Sequence, residues 1–358
     1  MQCLCSVYSK GLNTAKGAWS YNFSKSKLKH NIVNMINNYN SELREYEINP
    51  KYKPTNDETK IKWTRELSEN FIKRNYIVFE PRSIYNSTYR PFVISNLYFD
   101  KQLVEQTYQM PKLFPTPRHK NLLICINGIG SFSEFMPFMT AAVADLDILS
   151  KAQCFPLYYY EKYDTGNPVE RMADGVDDEG YKREYAVTDW ALQEYRKRYG
   201  GGVTKEDIFY YIYGILHNRE YRERFSNDLK KTLARIPFVK TAEDFMSYAR
   251  AGRALAEIHL NYETIEPYPL DEEIKPDADY RVIKMKFSKD KRELRYNEDI
   301  LFKNIPPRAF EYVVNGRSPL EWVVDRYQIT RDKSSGITND PNDYSEDDAK
   351  YIYNLVKR

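Results

Sequence analysis

Apolar residues in this chain are spaced in two different ways, and the switch between them limits the fold more than any composition figure. Leu28, Ile32, Met35, Ile36, Tyr39 and Leu43 recur three or four residues apart and so share one stripe of a helix. Ser24 stands at the cap position, and the helix is expected to run to about Glu47. Asn49 to Thr59, with Pro50 and Pro54, then breaks it and reads as a linker. From Ile61 to Tyr160 the texture changes to short apolar runs between Pro and Asn breakers: Tyr76 to Phe79, Leu97 to Phe99, Leu122 to Ile126 and Leu157 to Tyr160. These runs predict strands.

Helical spacing returns further on. Thr204 and Asp207 form a capping pattern ahead of Ile208, Tyr211, Ile212, Ile215 and Leu216. A second helix carries Tyr221, Phe225, Leu229 and Leu233 and stops before Pro237, and a third runs from about Ala242 to Tyr262. Arg281 to Phe287 reads as a strand, and Asn315-Gly316 as a turn. Ser318-Pro319-Leu320-Glu321 opens a helix that buries Leu320, Val323, Val324 and Tyr327. A last helix from Ser345 buries Ala349, Ile352, Tyr353 and Val356. The acidic, glycine-containing stretch from Asp164 to Gly180 marks a boundary. The expectation is a mixed α/β (α+β) chain in three parts. They are an N-terminal helical segment and linker (1–59), a strand-rich mixed α/β domain (60–165), and a mainly helical scaffold with a small strand-containing insertion (181–358).

The longest apolar runs are about five residues, where a membrane span needs about twenty, so no membrane partner is expected. The start, Met1-Gln2-Cys3-Leu4-Cys5, does not read as an export signal. Four cysteines in 358 residues make no disulfide framework, and the expected compartment is the cytoplasm. The net charge of +3 hides an asymmetry. Residues 1–120 carry 19 Lys and Arg against 10 Asp and Glu, whereas residues 121–200 carry 8 against 13. A basic first third points toward a polyanion.

Catalytic motifs are not evident. The four histidines show no zinc-ligand spacing, and no phosphate-binding loop of a nucleotide motor is present. Pro276-Asp277 lacks the Glu-x-Lys of a metal nuclease. His259, inside a helix with no nucleophile near it in sequence, reads as a packing residue. Asn127-Gly128-Ile129-Gly130-Ser131 could imitate the cofactor turn of an S-adenosylmethionine methyltransferase, with Asp145 or Asp147 as the acidic partner. The third glycine is missing, however, and neither Asn49-Pro50-Lys51-Tyr52 nor Asn304-Ile305-Pro306-Pro307 fits the loop that holds a target amine. No catalytic residue, cofactor or metal is therefore assigned. Tyrosine, at 32 residues, is abundant, and in the basic third it stands beside Arg and Lys. Arg82 with Tyr85, Tyr89 with Arg90, and Arg118-His119-Lys120 are examples. Arg and Lys bind phosphates or guanine edges, and tyrosine hydroxyls position the backbone.

A series of longer strings carries more. Asp189-Trp190-Ala191-Leu192 is followed by Thr204 through Gly214, His217, Glu220 through Phe225, Arg235-Ile236-Pro237, Ala251-Gly252-Arg253 and His259 through Glu263. Tyr312 through Trp322, Asp325-Arg326-Tyr327 and Asn339-Asp340-Pro341 continue the series. Ala18 through Ser24, Tyr89-Arg90-Pro91-Phe92 and Cys154 through Tyr159 precede it. In this order the strings resemble the C-terminal specificity region of Type ISP restriction–modification enzymes, over nearly the whole chain. In that family a nuclease, a helicase-like ATPase and an N6-adenine methyltransferase precede the region, which selects the DNA target. The resemblance implies double-stranded DNA as a partner, beside methyltransferase and helicase–nuclease modules on the same or another chain, with no catalysis of its own. Charge and resemblance together nominate Arg82, Tyr85, Arg90, Lys112, Arg118 and Lys120, with Ser131 and Ser133 of the glycine-containing turn as backbone contacts. Two other readings stay open: a protein-docking module or orphan fragment of such an enzyme, and a small methyltransferase using the Gly128/Gly130 turn.

Overall fold

Ser24 accepts a hydrogen bond from the Lys27 N–H at 3.2 Å and starts the helix Lys25–Ile48. All six residues of its expected stripe are buried there, against Trp19, Ile61, Leu67, Phe71, Ile77, Tyr98 and Leu103. Each such aliphatic side chain contributes about 1.5–3 kcal/mol by leaving water. The computed structural model describes residues 1, 3–131, 133–163, 175–345 and 347–358. Helices and several small sheets make the mixed α/β fold that the spacing implied.

The described chain forms two compact units. One comprises Met1–Gly11, Tyr108–Tyr262 and Val314–Gly316; the other comprises Leu12–Thr107, Glu263–Val313 and Arg317–Arg358. Each unit thus draws on separated stretches of sequence. Of the expected boundary at 164–180, residues 164–174 lie outside the described residues.

In the first unit, an antiparallel sheet runs in the order Ser9–Lys10, Gln153–Pro156, Leu123–Ile126, Phe138–Thr140. Cys125 and Cys154 are cross-strand neighbours, free thiols 3.5 Å apart and fully buried. Two helices, Lys205–His217 and Ala242–Asn261, cross where both carry glycine. A Cβ on Gly252 would sit 2.0 Å from the Tyr210 carbonyl oxygen, and one on Gly214 would sit 2.4 Å from that of Tyr248. Only hydrogen at those positions lets the backbones touch. His259 stacks on Phe138 at 5.4 Å and bonds the Tyr213 hydroxyl, as a packing histidine does.

The tyrosines find a common use. Tyr221, Tyr211 and Tyr199 donate to the carbonyls of Arg235, Pro237 and Val239 at 2.7, 2.6 and 2.8 Å. Every second carbonyl of an extended segment is thereby satisfied without a partner strand. The single helix expected through Tyr221 and Leu233 is two short ones, Arg219–Arg224 and Ser226–Lys231, meeting at Phe225.

In the second unit, Val93–Tyr98 pairs antiparallel with Ile84–Arg90 and with Tyr21–Asn22. A further sheet runs Asp271–Ile274, Ile300–Lys303, Leu294–Arg295, Lys286–Phe287. Two expected strands differ from expectation. Tyr76 to Phe79 is extended, but it passes a helix rather than a sheet. The Asn40 amide accepts from the Ile77 N–H at 3.1 Å and donates to its carbonyl at 2.8 Å. Arg281 to Phe287 pairs only at Lys286–Phe287, and Asn342 brackets Val282 in the same way, at 2.8 and 2.7 Å. Asn315 and Gly316 both have positive φ, as a tight turn requires. The helix Pro319–Arg326 starts in a full capping box and buries Trp322 where Leu320 was expected. The final helix is Tyr351–Val356, which leaves Ala349 outside it and exposed.

Candidate nucleic-acid interface

The expected contacts Lys112, Arg118 and Lys120 fall on one loop of the first unit. Met110–Leu113 is a helical turn, and Asn121 closes the loop by donating to the Leu113 carbonyl at 3.1 Å. The same amide brackets Tyr158, accepting from its N–H at 3.1 Å and donating to its carbonyl at 2.7 Å. The Tyr160 hydroxyl holds the Lys120 carbonyl at 2.6 Å. Inside the loop, His119 is buried edge-on to Tyr160 and Tyr181, with ring centres 4.5 and 5.0 Å away.

Polar partners fix that imidazole. Nε2 lies 2.8 Å from the Asp177 carboxylate, and Nδ1 lies 2.8 Å from the Thr116 hydroxyl. The Thr116 hydroxyl also reaches the Glu179 carboxylate, at 2.6 Å. Burial works against ionising Asp177, but the backbone N–H of Tyr181 and the His119 ring outweigh it and hold the carboxyl below its ordinary range. The loop is therefore rigid from within while its cations face outward. Lys112 and Lys120 are exposed and have no carboxylate partner among the described residues. Arg118 instead pairs with Asp178 at 3.0 Å and Glu179 at 3.5 Å, so part of its charge is already neutralised.

Beside the loop stands the hairpin Tyr158–Lys162 with Tyr181–Tyr185. Lys162 lies over the Tyr181 ring and Arg183 over the Tyr158 ring, both at 4.4 Å. Neither cation was expected as a contact, although Tyr181-Lys182-Arg183 sets basic residues next to a tyrosine.

The turn with Ser131 and Ser133 belongs to the same unit. Ser131 is 7% exposed, and its hydroxyl oxygen already accepts from Asn127 and from the Ser133 N–H. A Cβ on Gly128 would meet the Lys151 carbonyl oxygen at 2.2 Å, so this glycine admits the protein's own backbone. Asp145 bonds the Asp147 N–H at 2.9 Å. The Gly130 N–H bonds the Lys230 carbonyl at 3.0 Å, which brings exposed Lys230 and Lys231 to the turn. A hundred residues of separation hid that neighbourhood from sequence reasoning.

Arg82, Tyr85 and Arg90 lie in the second unit. Arg82 is exposed on the turn Pro81–Ser83. Tyr85 is 8% exposed with its ring against Phe99 at 5.2 Å, which makes it a packing residue. Arg90 is half-buried at the end of its strand, its guanidinium 4.0 Å over the Tyr89 ring. Among the described residues no helix is long and apolar enough to cross a membrane.

A comparison with curated proteins gave no match. Solved structures do match. LlaGI, a Type ISP restriction–modification enzyme solved as a nuclease-deletion mutant in complex with a DNA substrate mimic, is 37% identical with a TM-score of 0.84. LlaBIII, an ATP-dependent Type ISP restriction–modification enzyme bound to DNA, is 33% identical with a TM-score of 0.86. The DrdV–DNA complex is 27% identical with a TM-score of 0.82. Each covers 99% of this chain, but the chain spans only 31%, 22% and 34% of the three in turn. A family model, the Type ISP C-terminal specificity domain, matches residues 4–355. Because that match runs through both units, the chain belongs to the family of Type ISP C-terminal specificity domains.

Proposed function

We propose that this chain is the DNA target-recognition module of a cytoplasmic restriction–modification enzyme. It selects the site on double-stranded DNA for an N6-adenine methyltransferase and a helicase–nuclease carried elsewhere, and contributes no catalytic group itself. The observation that carries the reading is the specificity-domain match over residues 4–355, joined to three similar structures whose enzymes are held with DNA or a DNA mimic. Lys112 and Lys120, on a loop braced by His119, are the contacts best placed to meet phosphate, with Arg118, Lys162 and Arg183 beside them. In the second unit, Arg82 is exposed and Arg90 half-exposed, and both are further candidates. Ser131 and Tyr85 are buried and Ser133 is half-buried, which makes them weaker candidates than the exposed cations.

The test is a salt-titrated binding assay with random duplex DNA and with a pool of varied sequences. Affinity should fall by orders of magnitude between 50 and 200 mM salt, as for a protein making several phosphate contacts. One sequence should be enriched from the pool. Lys112→Ala with Lys120→Ala should weaken binding to all sequences alike and reduce the slope of log affinity against log salt by about 2. An unchanged slope would remove these two residues from the interface. Absence of binding at low salt would instead favour a module that docks on protein.

A further inference from the structure

Two of the four cysteines stand face to face in the four-stranded sheet of the first unit. Across its strands runs a row of directly opposed residues, Ser9, Cys154, Cys125 and Phe138. Opposed residues share one face of a sheet, so the two thiols point the same way. Their Sγ atoms lie 3.5 Å apart, with the Cys125 thiol donating to Cys154, and both side chains are fully buried.

The register decides what this pair can become. Hydrogen-bonded and open residue pairs alternate along an antiparallel ladder. The Leu157 N–H donates to the Leu122 carbonyl at 2.8 Å, which marks that pair as hydrogen-bonded. Pro156, which has no N–H to give, faces Leu123 in the next pair, an open one. Counting on, Ile124 and Phe155 are bonded, and Cys125 and Cys154 are open. The other flank agrees. The Gly11 N–H donates to the Ala152 carbonyl at 3.0 Å, and the same count turns the backbone groups of Cys154 toward Ser9, away from Cys125. Open pairs bring their Cα atoms to about 4.5 Å, inside the span of about 4.4–6.8 Å over which a disulfide forms. Rotation of the two side chains therefore suffices, with no movement of either strand. Among the described residues the pair is not part of any group of three or more His, Cys, Asp or Glu side chains that could hold a metal ion.

We propose that Cys125 and Cys154 are a disulfide site, which cross-links the two central strands of this sheet when the chain meets a small-molecule disulfide. Local opening of the sheet exposes one sulfur, whose thiolate attacks the oxidant RSSR, forms a mixed disulfide and releases RS⁻. The second thiolate attacks the protein sulfur of that mixed disulfide, closes the Cys125–Cys154 bond and releases a second RS⁻. The two thiol protons pass to the two RS⁻. The pair has then lost two electrons, and RSSR has become two RSH. Burial selects this product, because a closed core has no room for a retained RS group while the partner sulfur is already 3.5 Å away. Burial also makes opening the trigger. The hydrogen bond to Cys154, and then burial, push the Cys125 thiol up, so the closed sheet forms little thiolate and keeps its thiols free. The two cysteines are 29 residues apart, and the bridge closes a loop that carries the Gly128–Gly130 turn. Closing such a loop restricts the unfolded chain and so favours the folded one.

The test equilibrates the full chain in buffers of rising oxidised-to-reduced glutathione ratio, then blocks the remaining thiols with N-ethylmaleimide in denaturant. Peptide mapping without reductant should find Cys125 joined to Cys154, with no glutathione on either. Exposed Cys3 serves as the internal reference, since it takes up glutathione directly. The bridged chain should melt at a higher temperature than the reduced one, and reductant should reverse the shift. Cys3→Ser should keep both the bridge and the shift, and Cys125→Ala should lose both. If Cys125→Ala does not fold, the map of Cys3→Ser still decides. Maleimide on both Cys125 and Cys154 in chains whose Cys3 already carries glutathione would make them packing residues and overturn the proposal. So would bridges that join either of them to Cys3 or Cys5, or a bridged chain that melts lower than the reduced one.

Discussion

Three asparagine side chains take the part of strands that are not there. Asn40 brackets Ile77, Asn121 brackets Tyr158, and Asn342 brackets Val282, each amide accepting from an N–H and donating to the carbonyl of the same residue. A carboxylate of the same shape can accept but cannot donate. Asn40→Asp should therefore leave the Ile77 carbonyl without a partner and set a charge against it, at about 1–3 kcal/mol. Urea unfolding compared with Asn40→Ser, which is shorter but uncharged, checks this; equal midpoints for Asn40→Asp and wild type would refute it. These brackets also explain which residue-level features sequence reasoning could reach. Ser24, Thr204 and Ser318 act on partners three residues away, and spacing alone finds them. Asn40 and Ile77 lie 37 residues apart, and nothing in the local pattern of either names the other.

At the scale of elements, helices were legible and the shape of the sheets was not. A stripe of buried residues is written every three or four positions, so Lys25–Ile48 and Ala242–Asn261 agree with expectation to within a residue or so at each end. An apolar run such as Tyr76 to Phe79 or Arg281 to Phe287 shows only that the chain is extended. Whether its backbone meets a strand, an asparagine or a row of tyrosine hydroxyls depends on distant neighbours. The candidate site follows the same rule. Lys112, Arg118 and Lys120 are close in sequence and could be named together as candidates, whereas Lys230 beside the Gly130 turn could not. The helix crossing carries its own prediction. Gly252→Ala drives a methyl group against the Tyr210 carbonyl, so the helices must separate, at a cost of about 2 kcal/mol or more. Gly201→Ala, with open space around its Cβ, is the matched control, and thermal unfolding of the two variants should differ accordingly.

For the molecule as a whole, acidity is a lever on the first unit. Burial pushes His217 down to about 4, and burial together with the neighbouring His217 pushes His259 down to about 3. Both stay neutral in the folded protein below the ordinary histidine value of about 6.5, while the unfolded chain takes up protons there. Stability is thus present above that value and declines as pH falls toward the folded values, by up to about 1.4 kcal/mol per pH unit for each histidine. Urea midpoints at pH 7 and pH 5 should show this loss. His259→Gln, whatever its own stability, should lose less between the two; an equal loss would assign the effect to other groups.

The chain enters each unit more than once. It leaves the first at Gly11, returns at Tyr108, leaves again at Tyr262, and comes back for Val314–Gly316. This has a consequence for how specificity can be inherited or engineered. Neither unit is a cassette: a recombination with one breakpoint between residues 107 and 108 would join the amino-terminal part of both units from one parent to the remainder from another. The pairing of Ser9–Lys10 with Gln153–Cys154, and the bonds of Asn22 and Phe23 to Thr338 and Asn339, span that junction and would then have to match by chance. On the proposed reading, new target preferences in such a chain come from point changes on its exposed loops, or from exchange of the whole chain at once.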